Sequence, residues 1–118
     1  MESVRQKRTA EQIRTLLSQL LLLELKDPRL AGVTVTRVSI DRELQYADIY
    51  VHALAEDARE REVMTGLESA AGFLRRELSN RLRLRHAPHL HFHWDPSLAH
   101  AEHINQLLDT LDIPAEEE

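Results

Sequence analysis

The chain has 118 residues, of which 42% are apolar and 30% charged, with a formal net charge of −5 and no cysteine. That length supports one hydrophobic core and not two, and the missing thiols exclude disulfide staples and thiolate metal sites while fitting a reducing compartment. The longest apolar run, residues 20–23, falls far short of the ~20 residues a membrane span needs, and Glu2 and the polar residues after it lead into no apolar signal region, so a cytoplasmic protein with no membrane partner is expected.

In chain order, Ser3 or Thr9 caps a first helix whose Ile13, Leu16, Leu17, Leu20 and Leu21 recur at three-and-four spacing. It ends near Leu25, because a residue before proline avoids the helical region and Asp27-Pro28 follows. Ala31-Gly32 then turns the chain. Residues 33–40 read as a β-branched strand with a slip: Val33 and Val35 share one parity, Val38 and Ile40 the other. A bulge near Thr36-Arg37 restores a single buried face. The short polar link Asp41-Arg42-Glu43 makes an antiparallel hairpin with residues 46–54, where Ala47, Ile49, Val51 and Ala53 alternate.

The acidic run 56–62, or Asp57 within it, suits the positive end of a helix dipole. Val63, Leu67, Ala70, Leu74 and Leu78 continue one apolar stripe through the small residues Ala70, Ala71 and Gly72, which predicts two helix halves that share a packing surface across a kink. Close packing of small residues against the sheet would account for the same three positions. His86-Ala87-Pro88 closes the second half. Residues 89–94 alternate as a strand with Leu90, Phe92 and Trp94 on one side and three histidines on the other. Asp95-Pro96 leads to a last helix over residues 97–111, and residues 114–118 read as an acidic disordered tail. Strands segregated from a helical layer make an α+β fold: a three-stranded sheet covered by helices on one face, in the order of a type II KH domain with an extra C-terminal helix.

Charge is segregated. Residues 69–85 hold Arg75, Arg76, Arg81, Arg83 and Arg85 against the single acid Glu77, and the N-terminal segment adds Arg5, Lys7, Arg8 and Arg14. From Asp95 onward there are seven acids and no lysine or arginine. Unpaired guanidinium groups are too costly to bury, so Arg75 and Arg76, which lie off the Leu74/Leu78 stripe, are expected to face water or phosphate. Each neutralised phosphate releases condensed counterions, which makes a polyanion the natural partner of such a patch. The competing reading is a solvated helix face with weak ion pairs, such as Arg81 with Glu77 at helical spacing. With only five aromatic residues, contact is expected mainly with phosphate and RNA shape rather than stacked bases.

Several motifs occur together and in order. They are Leu25-Lys26-Asp27-Pro28-Arg29-Leu30; Tyr46-Ala47 with Val51; the run from Ser69 through Ala70-Ala71-Gly72 to Leu78; and Leu82-Arg83-Leu84-Arg85 with Pro88, Leu90 and Phe92. Over roughly residues 4–111 this pattern resembles the ribosome-binding factor A family. The resemblance implies a KH-like domain over residues 1–113 in which an AxG helix junction, here Ala70, Ala71 and Gly72, replaces the GxxG loop that clamps nucleotides in ordinary KH modules. It also implies binding to immature small ribosomal subunits and their ribosomal RNA in late maturation (16S rRNA processing, cold adaptation), by a monomer without cofactor or enzymatic activity. An assembly GTPase is a further candidate partner. On these grounds the RNA-binding residues are expected to be Arg5, Lys7, Arg8, Lys26, Arg29, Arg75, Arg76, Arg81, Arg83 and Arg85. Reversing Arg75, Arg76 and Arg81 to glutamate is expected to abolish subunit association at little cost in stability.

The histidines supply a rival. His89, His91 and His93 share one strand face, and His100 and His103 follow on the next helix. Imidazoles at that spacing suit a metal-responsive or protein-interaction module that uses this face and the acidic C-terminal helix. Alternation alone also places polar residues outward, no cysteine completes a ligand set, and no resident metal is expected. There is no phosphate loop or nucleophile elbow, and Ser69 or Ser79 near His86 is mere sequence proximity.

Overall fold

Ser3 opens the first helix of the computed structural model, which describes residues 2–53 and 59–96. Its hydroxyl accepts from the Gln6 backbone N–H at 3.1 Å, and the Gln6 side-chain oxygen accepts from the Ser3 N–H at 3.0 Å, so two otherwise orphaned donors are satisfied reciprocally. Helix α1 runs over Val4–Leu23 and buries the expected stripe from Ile13 to Leu21. Gln6 is buried too, and its amide nitrogen donates to the Ile40 carbonyl at 2.9 Å, which ties the cap to the sheet. The helix ends two residues before Leu25. Asp27 then accepts from the Arg29 N–H at 2.9 Å and opens a single 3₁₀ turn, Pro28–Leu30, that sets Leu30 in the core.

Strand β1 (Val33–Ile40) pairs antiparallel with β2 (Tyr46–Ala53). The register passes from Val35↔Val51 to Arg37↔Tyr50, so Thr36 is the bulge residue. That extra residue brings Val35, Val38 and Ile40 onto one buried face beside Ala47, Ile49, Val51 and Ala53. Strand β3 (His89–Trp94) lies parallel to β2 and gives the order β1-β2-β3. A parallel neighbour needs a crossover, and helix α2 (Glu60–Leu82) supplies it. Val63, Leu67, Leu74 and Leu78 of α2 join α1 and the inner sheet face in one core. The outer sheet face carries Tyr46, Asp48, Tyr50, His89, His91 and His93.

The two halves expected across Ala70-Ala71-Gly72 form one uninterrupted helix. A lone interior glycine costs only ~1 kcal/mol relative to alanine, and alanine is the best helix former, so a buried stripe on either side carries the hydrogen-bond ladder through. The close backbone approach falls elsewhere. A Cβ on Gly66 would stand 2.9 Å from Leu30 Cδ2 and 3.2 Å from Arg29 Cβ, whereas one on Gly72 would meet nothing within 4 Å. Gly66 therefore seats α2 on the 3₁₀ turn, and close packing does not account for Gly72. Arg59, before α2, braces the same junction by donating to the Ala31 carbonyl at 2.8 Å and the Arg29 carbonyl at 3.0 Å. No described helix is long and apolar enough to cross a membrane. The helix expected over residues 97–111 and the tail at 114–118 lie outside the described residues.

Candidate nucleic-acid interface

Three of the ten expected RNA-binding cations are held by partners of their own. Arg75 lies off the apolar stripe as expected, yet it does not face open water. Its Nε donates to the Pro88 carbonyl and its Nη2 to the Ala87 carbonyl, both at 3.1 Å, so it fastens the link between α2 and β3. Arg81 pairs with Glu77 Oε1 at 2.9 Å, as helical spacing allowed, and also with Glu24 Oε2 at 2.8 Å beyond the end of α1. Hydrogen bonds to Glu24 and then Glu77 raise its pKa further above its ordinary range. Arg29 makes a two-pronged contact with Asp27, with Nη2–Oδ2 at 2.6 Å. The Arg29 side chain, followed by its backbone N–H, holds the Asp27 carboxyl below the usual carboxylate value.

The other seven, Arg5, Lys7, Arg8, Lys26, Arg76, Arg83 and Arg85, are exposed and make no ion pair among the described residues. They are not one patch. Lys26 lies beside Pro28 and Val33 at the far end of α1, and Arg8 borders a groove between α1 and Leu82. Arg76 continues an exposed ridge of α2 that begins at Ser69 and Gly72.

Arg5, Arg83 and Arg85 converge, and the cause is local. Arg83 ends α2 in the left-handed region, at φ 55° and ψ 42°, and its N–H donates to the Ser79 carbonyl. The Leu84 N–H donates to the same carbonyl at 3.1 Å, while the Ser79 hydroxyl donates to the Leu84 carbonyl at 3.3 Å. This tight reversal turns the chain back toward the start of α1. There Arg5, Arg83, Arg85 and His86 surround a cleft of about 330 Å³ whose lining includes a single acid, Glu43. A non-glycine residue in the left-handed region costs on the order of 1 kcal/mol, which is the kind of strain found at functional positions. The sequence marks His86 only as part of a helix-ending segment, and nothing in it points to the left-handed cap at Arg83. No residue type there signals it, because left-handed caps favour glycine or asparagine and position 83 is arginine.

The histidine face does not assemble a ligand set. His89 stacks on Tyr46 with ring centroids 5.3 Å apart, His93 stacks on Tyr50 at 4.8 Å, and His93 Nε2 lies 2.7 Å from Asp48 Oδ1. No group of three or more metal-ligating side chains converges among the described residues. His100 and His103 lie outside them.

Comparison with known proteins agrees with this architecture. A family model described as ribosome-binding factor A matches residues 5–108. The chain is 38% identical over 113 residues to ribosome-binding factor A of Natranaerobius thermophilus, covering 96% of this chain and 86% of the relative. It is 44% identical over 110 residues to that of Chromohalobacter salexigens, covering 92% and 84%. The crystal structure of ribosome-binding factor A from Thermus thermophilus superimposes with a TM-score of 0.68 at 27% identity, covering 75% of this chain and 93% of that one. The solution structure of a Thermotoga maritima protein described as a putative ribosome-binding factor A gives 0.69 at 34%, covering 79% and 89%. A Thermus thermophilus homology model fitted into the cryo-EM map of a 30S complex gives 0.60 at 28%, covering 74% and 91%. The family model over residues 5–108 and these relatives place the chain in the ribosome-binding factor A family.

Proposed function

We propose that this protein binds the immature small ribosomal subunit through its ribosomal RNA during late maturation, acting in the cytoplasm as a monomeric assembly factor and not as an enzyme. One observation carries the reading: Arg5, Arg83 and Arg85, which make no ion pair among the described residues, converge on one cleft in a chain of net charge −5. Guanidinium groups left unpaired around a concavity attract phosphate, and contacts of this kind position a protein on nucleic acid. The family's fitted complex with the 30S particle supports the choice of partner. Arg76, beside the open surface over Gly72 in the AxG segment, extends the contact along α2, with Lys7 and Arg8 at its edge. Residues 1–113 are taken as the ribosome-binding domain.

Exchanging Arg83 and Arg85 together for glutamate tests the assignment. In sedimented lysate the wild-type protein is expected with small-subunit particles and the double variant at the top of the gradient. Retention of the variant on the particles would overturn the role given to the cleft.

A further inference from the structure

The arginine cleft does not end at His86. A second concavity of about 400 Å³ adjoins it, sharing Gln45 and His86 and continuing to Tyr46 and His89. We propose that these two spaces form one single-stranded RNA site, with phosphates on Arg5, Arg83 and Arg85 and an unpaired base stacked on the Tyr46–His89 ring pair. The proposal deepens the RNA-binding reading above and rests on it.

Tyr46 is 50% exposed, a large ring left in solvent on the outer sheet face. Its ring lies within 25° of parallel to that of His89, and the edge of His91 lies 5.8 Å away. The pair is held in place from several sides. Tyr46 and His89 are register partners in adjacent strands, and the His89 N–H donates to the Gln45 carbonyl at 2.8 Å. The Asp41 carboxylate accepts from the Tyr46 N–H at 2.9 Å, and Arg75 fastens the Ala87-Pro88 link just before His89. A platform already ordered loses little entropy when a ligand stacks on it.

The surroundings favour RNA over a protein partner. A protein-binding aromatic patch is normally embedded in apolar side chains. Here the rings are followed along the outer face by Asp48, His91 and Ser39, and are bordered on the cleft side by cations. Rings with a cationic groove alongside are how single-stranded nucleic acid is held without reading its sequence. The Tyr46–His89 pair thus adds base contact to an interface that, with five aromatic residues in the chain, is expected to meet mainly phosphate and RNA shape.

The test uses the full chain and two probes of about ten nucleotides, an unstructured ribo-oligonucleotide and an abasic oligomer of equal charge. Wild-type protein is expected to bind the base-bearing probe about tenfold more tightly than the abasic one. Y46F, which keeps the ring, should preserve that preference. Y46A should erase it while leaving abasic binding unchanged, and Tyr46 is exposed enough for the truncation to spare the core. Equal binding of both probes by the wild type, or a preference that survives in Y46A, would overturn the stacking site. Loss of particle association in Y46A without any change in probe preference would mark the rings as a protein contact and overturn it too. If the Arg83/Arg85 double reversal leaves both probes and the particle bound, the parent reading fails instead.

Discussion

Gly66 and Gly72 belong to the same helix but face opposite surroundings. Alanine at Gly72 meets open space and gains helix propensity, so G72A should stabilise the protein by ~0.5–1 kcal/mol. Alanine at Gly66 gains the same propensity but must displace the buried Leu30 and the Arg29 stem, an overpacking cost of ~1–3 kcal/mol, so G66A should destabilise by ~1 kcal/mol. Urea denaturation midpoints that move in opposite directions would confirm the pair. Arg83 offers the converse experiment. Glycine accepts the left-handed cap without a Cβ clash, so R83G should hold or raise stability by up to ~1 kcal/mol while weakening association with the small subunit. Falling affinity at undiminished stability separates a binding residue from a structural one.

At the scale of elements, two arginines that the sequence grouped with the RNA-binding set, Arg75 and Arg81, make connections between elements, Arg81 by joining α2 to Glu24 past the end of α1. Arg75 fastens the α2–β3 link through two carbonyls, and alanine there leaves both without that donor. R75A should cost ~1–3 kcal/mol in chemical denaturation. The expectation that reversing Arg75, Arg76 and Arg81 together leaves stability nearly unchanged therefore does not hold, because Arg75 carries structure. Reversal of Arg76 alone is the clean probe of that surface. The turn between α1 and β1 has an acid-sensitive support. Asp27, whose carboxyl is held below its ordinary value of ~3.9 by Arg29, contributes stability that is present above that value and is lost as pH falls through the lower folded value. D27N, which keeps a capping oxygen but drops the charge, should differ from wild type near neutrality and converge with it as acidification protonates Asp27, as followed by thermal melts from neutral to acid pH.

On the scale of the whole molecule, charge is sorted along the fold. A chain of net charge −5 presents Arg5, Arg83 and Arg85 around one cleft, while the sequence from Asp95 onward holds seven acids and no lysine or arginine. If the three cleft arginines each meet a phosphate of single-stranded RNA, the logarithm of the binding constant should fall with the logarithm of salt concentration with a slope of roughly −2. Titration in rising potassium chloride checks this, and each cleft arginine replaced by alanine should flatten the slope.

Periodicity and covalent constraint were sufficient for much of this. The stripe from Ile13 to Leu21, the alternation of β2 and the parity slip in β1 each follow from needing one buried face, and that need also calls for a bulge near Thr36-Arg37, which the register puts at Thr36. The arginine-rich run was legible as a charge excess, since composition alone sets it. What composition could not settle was the availability of each charge. Arg81 is taken up by Glu24, distant in sequence, Arg75 by two loop carbonyls, and Arg29 by a carboxylate poised at the start of a 3₁₀ turn. The continuity of α2 through Ala70-Ala71-Gly72 was likewise decided by packing on either side, which outweighs the weak propensity of one glycine. The sequence by itself determined which faces are buried and that a basic surface must exist. Only the tertiary structure decided which cations stay free of ion pairs among the described residues and that three of them, Arg5, Arg83 and Arg85, meet next to Tyr46 and His89, because a side chain's freedom depends on acceptors that folding brings within reach.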